Sequence, residues 1–517
     1  MQKNINLKLF IPCVVILSVL LIVVTVNLSA VQASVNAAYD FCISKFGWLF
    51  VIANLSCLIF SLWIMFGPYK NIKLGGDDAK PTFRTISWAG MMFTTSCGAW
   101  LVVYGFLEPL YCISQDAIPV DALSTKAYEY GQMYAHFHWG PNAWCIYVPA
   151  SIAISYLIYN RGVTKNSIGT ACSAILGKSK KGKAVEFLAD IFSVCGSVIA
   201  PVISIGTGMP LLVALIETIF NVPDTNRMTI QAVVLIIWIA IFGTSVYRGL
   251  SKGIQKLSNT NIWLYFIFAA IFLFAGGVFR AISSEVNSFG LFLQNYIRMS
   301  TYTDPFGSGS FVKGWTIGYW ACYFVYMPLM GVFNAKISKG RRLKEVAFGQ
   351  LVLCTLGSWV SMATFGNYAM KLQMSDIINI SAFLDKGDEA GAIIAIVKTM
   401  PASKLFMIGL LIIAFIFLAT TMDSSAFSAA EMTANQENGE SLAPRWLRLL
   451  WAAIAALVAF TLCQVGGVKA VRSLCYMTGL PLAIIAFVLI ASSVKMLRED
   501  HAEECEGEKR IKLFDKV

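Results

Sequence analysis

Apolar residues fill twelve long runs along the chain, parted by short polar segments. With loose ends they are Leu9–Ala30, Gly47–Gly67, Ile86–Phe106, Phe137–Asn160, Ile191–Phe220, Ile230–Tyr247, Ile262–Val278, Trp315–Ala335, Val346–Ala369, Leu405–Thr433, Trp446–Cys463 and Leu474–Met496. A helix needs about 17–25 such residues to cross a bilayer. Each run therefore predicts one membrane span, and together they predict an all-α polytopic membrane protein. Lys3 and Lys8 precede the first run and Val31-Gln32-Ala33 resembles a cleavage site. Its apolar stretch nevertheless outruns the roughly 7–15 residues of a signal-peptide core, so it reads as a retained helix. Two connections are long, 279–314 and 370–404. Each holds an amphipathic run, Phe289–Leu293 with Tyr296 and Ile377–Ile380 with Phe383 and Leu384. These suit interfacial helices and ordinary loop packing about equally.

Composition agrees with that pattern. Of 517 residues, 57% are hydrophobic and 13% charged, about half the charge of a soluble domain. That deficit excludes disorder, coiled coil and a string of soluble domains. The formal charge of +11 would raise nucleic acid as a partner, but its placement explains it. If the N-terminus is inside, 28 of the 40 Lys+Arg fall on inner segments. The densest are Arg161–Lys183 and Lys336–Lys344. The positive-inside rule then puts both termini in the cytoplasm, and no nucleic-acid partner is needed. The 13 cysteines are scattered, with no C-x-x-C and no zinc spacing. Cys42 and Cys112 would both lie outside and within reach of a pairing, but no disulfide framework can be read.

Catalytic chemistry finds little support. The three histidines are His136, His138 and His501, with no carboxylate or thiol near the first two in sequence. Walker A, G-x-S-x-G and H-E-x-x-H patterns are all absent from the sequence. Glu108, at the end of the third run, reads as a structural helix-end carboxylate ahead of a coupling one. A transporter fits better than a channel, because the polar positions cluster at two places instead of forming a continuous stripe.

Aromatic residues carry more information. Trp315, Tyr319, Tyr323 and Tyr326 share one face of the eighth run at spacings of four, four and three. Trp139, Trp144 and Tyr147 recur in the fourth. Both stripes run deeper than an interfacial aromatic belt. They suit either core packing or a dry box whose ring faces attract a bulky cation. Polar stretches Thr94-Thr-Ser-Cys-Gly98 and Thr420-Thr421-Met-Asp423-Ser424-Ser425 predict unwound backbone in the third and tenth spans. Irregular backbone at that depth survives only where it lines a cavity, and hydroxyls and free carbonyls there suit a sodium ion or a substrate carboxylate. Asp423 is an intramembrane charge and so functional or paired by default.

The stretch WTIGYWACYFVYMPLMGVFNAKISKGRRLKE, Trp315–Glu345, resembles the signature of the betaine/choline/carnitine transporter family. Tyr302-Thr-Asp-Pro305, SWAGMMF at Ser87–Phe93, YGFLEP at Tyr104–Pro109, the His138–Tyr147 block and Thr420–Ser424 follow in that family's order. The resemblance spans about residues 5–500. It implies twelve transmembrane helices in a LeuT-like 5+5 inverted repeat with two extra N-terminal helices. The divisions would be 1–85, a first repeat at 86–283, an amphipathic connection at 284–314, a second repeat at 315–496 and a tail at 497–517. It also implies alternating access in the plasma membrane, a homotrimer, and a small quaternary-ammonium substrate such as carnitine or betaine. Its aromatic box corresponds to Trp139, Trp144 and Tyr147 facing Tyr319, Tyr323 and Tyr326, with Trp315 and Cys322 in the same block and Tyr111 completing the box as in carnitine exchangers. The family's paired tryptophans are here Cys322 and Tyr323, and its glycine-rich break is reduced to Ser96-Cys97-Gly98.

No cofactor is expected beyond one sodium ion at most. Met330 falls where carnitine/γ-butyrobetaine exchangers replace a sodium site, and two fifth-span hydroxyl positions are Ile199 and Ile203, with Ser204 kept. Phe417, Thr420 and Thr421 preserve a sodium-type second site, and Asn261 is neutral where the exchangers carry arginine. Substrate:product exchange is thus expected, with sodium symport as the alternative.

Overall fold

A computed structural model describes residues 5–26, 28–98, 100–113, 120–307, 309–436 and 439–502, with the side chains of residues 24, 28–32, 35, 36, 97, 224, 251, 252 and 462–475 outside that description. Among the described residues all extended elements are helices; the only strand-like pairings are isolated bridges, Ile5 with Ala434 and Lys73 with Arg342. The chain opens with α1 (Leu7–Val26) and α2 (Leu28–Phe66). Next come α3 (Thr85–Cys97) and α4 (Trp100–Cys112), bent 68° apart, then the stacked pieces α5 (Thr125–His138), α6 (Pro141–Cys145) and α7 (Val148–Tyr159). Short α8 (Ile168–Leu176) leads into α9 (Lys180–Phe220), α10 (Arg227–Arg248) and α11 (Gln255–Gly276). The amphipathic α12 (Val278–Thr301) precedes α13 (Ile317–Ile337). A rod follows, made of α14 (Leu343–Phe348), α15 (Cys354–Ser361) and α16 (Asn367–Met374). Short α17 (Ser381–Asp385) and α18 (Glu389–Lys398) lead to α19 (Ser403–Thr433) and α20 (Arg445–Asp500).

Nine segments among the described residues are long and apolar enough to cross a membrane, ten counting the bent α3–α4 pair as one span. The first and eleventh expected spans fall in α1 and the first half of α20. Two expectations need correction. The connections expected at 31–46 and 464–473 are helical, inside α2 and α20. Neither contains proline, so a run of polar residues marks the edge of the apolar stretch without ending the helix. Second, the tenth span is not unwound: α19 is continuous through Thr420–Ser425. Cys42 and Cys112 are both free and buried. Of the two amphipathic runs, Phe289–Leu293 lies inside α12, whose polar and apolar residues separate onto two faces.

The loops collect at two ends. At one end Asn160 donates to the Lys73 carbonyl at 3.1 Å, and Arg161 pairs with Asp500 at 2.8 Å. Asn6 donates to the Thr433 carbonyl at 2.9 Å, and Lys336 reaches the Gly439 carbonyl at 2.8 Å. Both termini and the cation-rich segments therefore share one face. The opposite face carries α12, α17 and α18. There the Tyr302 hydroxyl at 2.8 Å and the Gly309 amide at 2.7 Å hold the Asp304 carboxyl below its ordinary range. The interior belongs to α5–α7 and α13. Every residue in the apolar window of Val312–Ile337 is buried and 94% of that in Thr125–Tyr159, against 28% in α10. Small residues permit this. A Cβ on Gly331 would lie 2.5 Å from Ala150, and one on Gly479 would lie 2.6 Å from the Ala321 carbonyl.

Candidate functional site

The third span breaks at Gly98, whose φ of 54° with ψ of −163° is open only to glycine. The break is wedged against two other spans. A Cβ on Gly98 would sit 2.4 Å from Ser204 Oγ on α9 and 2.9 Å from Thr421 Oγ1 on α19. Ser204 in turn bonds the Tyr326 hydroxyl of α13 at 2.8 Å. One hydrogen bond thus links the helix break to the aromatic stripe of the eighth span.

The two stripes do converge. Trp139 lies 5.9 Å from Tyr319 and 6.3 Å from Tyr323, centroid to centroid. Trp144 and Tyr147 lie 5.9 and 6.2 Å from Tyr323. Between them stands Trp100, the first residue of α4. Its ring is 5.7 Å from Trp139, 5.5 Å from Tyr319, 5.7 Å from Tyr323 and stacked at 6.4 Å on Tyr326. Sequence reasoning missed Trp100. Its signal was a third stripe, Trp100, Tyr104 and Tyr111 at spacings of four and seven, beginning two residues after the glycine. Each aromatic pair contributes about 0.5–1.5 kcal/mol beyond area burial, and the rings close on one another tightly. The cavity among Trp100, Trp315, Tyr319, Cys322 and Tyr476 is only about 10 Å³, the room of about one water. A quaternary ammonium enters only when the rings part.

Polar groups around the cage are of two kinds. Some fix the rings: Glu108, fully buried, accepts a short bond from the Tyr319 hydroxyl and a 2.8 Å bond from His138 Nδ1. His138 Nε2 lies 3.0 Å from the Thr316 hydroxyl and its ring stacks on Tyr319 at 5.0 Å. Others have no protein partner: the indole N–H groups of Trp100 and Trp139 are buried donors without acceptors. Glu108, Cys112 and His138 bring three potential metal donors within 4.8 Å. Both ring nitrogens and both carboxylate oxygens are already hydrogen-bonded, however, leaving a thiol alone.

Tyr111 lies outside the cage. Its ring lies tilted beside Trp315 at 4.8 Å and its hydroxyl donates to Glu389 of α18 at 2.7 Å, so these groups cap the cage toward the α18 face. Trp315 adjoins Tyr319 at 6.1 Å. Met330 is buried one turn beyond Tyr326 on α13, toward the end carrying the termini.

The hydroxyls gather where α3, α11 and α19 pack. Thr94 bonds Ser258 of α11 at 2.9 Å, Thr95 bonds Ser424 at 2.9 Å, and Thr420 reaches the Thr94 carbonyl at 3.4 Å. Ser96 bonds back to the Met92 carbonyl, and Thr420 and Thr421 both bond the Phe417 carbonyl, at 2.9 and 3.1 Å. Asn261, one turn from Ser258, is buried with both amide atoms unpartnered. Of the expected ion-site residues, Gly98 and Thr421 are brought directly together, while the Cys97 side chain lies outside the described residues.

A helical membrane protein with a glycine-broken span lying against an interior aromatic cage has the parts of a transporter, and its family match makes it a multi-span LeuT-like transporter and not an enzyme. The chain belongs to the BCCT, betaine/carnitine/choline family transporter group, whose sequence pattern it matches over residues 8–502. Its substrates are accordingly small quaternary-ammonium compounds of the betaine/carnitine/choline type, handled within the membrane.

Proposed function

We propose that the substrate is a zwitterion of the carnitine/γ-butyrobetaine kind, carried by substrate:product exchange. The observation that carries this is Trp100 standing inside the cage with its indole N–H, and that of Trp139, unpartnered. Ring faces attract the trimethylammonium group, each contact contributing about 0.5–2 kcal/mol when desolvated. Two orphan donors suit the other end of the molecule, a carboxylate, which choline lacks. Met330 supports exchange, since a thioether is a poor ligand for a hard cation that prefers oxygen. The positive-inside rule would put the cation-rich face in the cytoplasm, and the family resemblance implies a homotrimer. Alternating access would occur around the site between the inverted repeats at 86–283 and 315–496.

A second reading keeps one sodium ion. Thr420 and Thr421 share the Phe417 carbonyl, Thr421 lies beside Gly98, and Asn261 is neutral where the exchangers carry an arginine that would substitute for the ion. Preloaded proteoliposomes separate the readings. Exchange predicts strong acceleration of uptake by internal substrate, in potassium buffer as well as in sodium. Uptake into empty vesicles that requires external sodium would overturn it.

A further inference from the structure

The face that carries the termini holds a cavity of about 710 Å³, far from the aromatic cage, and its walls are basic. They include Arg248 at the end of α10, Lys336 in the last turn of α13 and Lys339 just beyond it, and Arg445 and Arg448 in the first turn of α20. The facing carboxylates are fewer. Glu440 pairs with Lys339, and the buried Glu431 pairs with Lys336 at 2.9 Å. Glu431 also accepts from the Ala443 amide and from Gln436, both at 2.6 Å. No described carboxylate forms an ion pair with Arg248, Arg445 or Arg448.

Arg448 is the unusual member. It is 4% exposed, and its Nε and Nη1 have no hydrogen-bond acceptor among the described residues. Its guanidinium is pressed against Gly249, where a Cβ would meet Nη1 at 3.1 Å. A buried guanidinium with open donors is costly unless an anion completes it. The second, independent feature is the start of α20. Its N-cap is Pro444, with no side-chain cap and no acidic residue in the first turn. The N–H groups of Leu447 and Arg448 bond the Pro444 carbonyl, which leaves those of Arg445 and Trp446 at the helix start; Pro444 and Arg445 line the cavity, at the positive end of the helix dipole. A planar guanidinium fork beside a helix N-terminus is the donor set that phosphate oxygens take.

We infer that this cavity binds a phosphate-bearing anion, seated against the Arg448 guanidinium at the start of α20 with Arg248 and Arg445 at its rim. The shared chemistry is a tetrahedral phosphate, supplied either free from solution or as the headgroup of an anionic phospholipid in the facing leaflet.

The test uses the full chain in nanodiscs and reads its thermal midpoint. One arm titrates inorganic phosphate into phosphatidylcholine discs, with sulfate-free chloride buffer of equal ionic strength as control. The other raises the phosphatidylglycerol fraction. Stabilisation in the first arm identifies a soluble anion, and in the second alone a lipid headgroup. In either case Arg448→Gln should weaken the half-maximal response about tenfold or more, as loss of a charge-assisted bond predicts. Arg248→Gln, at an exposed position that cannot disturb folding, should weaken it about two- to fivefold. The inference is overturned if neither anion stabilises the protein beyond the chloride control. It is equally overturned if Arg248→Gln and any folded Arg448 variant respond as the wild type does.

Discussion

The third and tenth spans look alike in sequence and differ in structure. Both carry a run of small polar residues at membrane depth, Thr94–Gly98 and Thr420–Ser425. The third is bent by 68° at Gly98, whereas α19 runs unbroken from Ser403 to Thr433. Hydroxyls do not make the difference, because in both spans they bond back to carbonyls of their own helix. Thr94 reaches Gly90 O at 3.0 Å, Thr421 reaches Phe417 O at 3.1 Å, and Ser424 reaches Thr420 O at 2.9 Å. Such bonds satisfy the side chain without opening the ladder. The third span has a glycine where the chain must turn through a conformation closed to other residues. The tenth has none between Gly409 and Gly439. Polarity lines a site, and glycine opens the backbone.

The comparison breaks most sharply at Gly98. Gly98→Ala forces a Cβ into Ser204 and Thr421 at a φ of 54°, a strain of about 1–3 kcal/mol before any clash is counted. Proteoliposome uptake should fall by about a hundredfold or more, with a lowered thermal midpoint. Near-normal uptake would show that the bend is not needed.

Next come the rings that the bend brings together. Tyr323→Ala or Trp144→Ala should weaken substrate binding several-fold to about thirtyfold by calorimetry, at about 0.5–2 kcal/mol per cation–π contact. Tyr323→Phe should change it little, because the face is retained. Ser204→Ala unfastens the Tyr326 hydroxyl from the break. It should cost about 1 kcal/mol, or about fivefold in affinity.

Thr421→Ala, on the unbroken side, is the smallest expected change. The helix keeps its backbone bonds, so exchange measured in potassium buffer should stay within about threefold of wild type. Abolished transport would move the account to the sodium-coupled reading.

Much of this was legible in the residues. Apolar runs gave the spans because the bilayer fixes their length, and the stripes at Trp139–Tyr147 and Trp315–Tyr326 named two walls of the cage. The central ring escaped, since Trp100 reaches the cage only through the bend at Gly98, and periodicity cannot supply an angle. The unwound tenth span was misread for the reason given above. The ends of α2 and α20 were misplaced because helices run on past the membrane edge. Glu108 was read as a helix-end carboxylate but lies inside α4, and its partners His138 and Tyr319 are 30 and 211 positions away, so only the fold joins them.

The central claim is that ring faces in this cage hold a positive charge. The direct measurement is calorimetric binding of γ-butyrobetaine against its neutral isostere, in which a tert-butyl group replaces trimethylammonium at nearly constant shape. The account predicts an affinity at least about tenfold lower for the isostere, a loss that shrinks to about threefold or less in Tyr323→Ala. Equal affinity for the two ligands in the wild-type protein would contradict it.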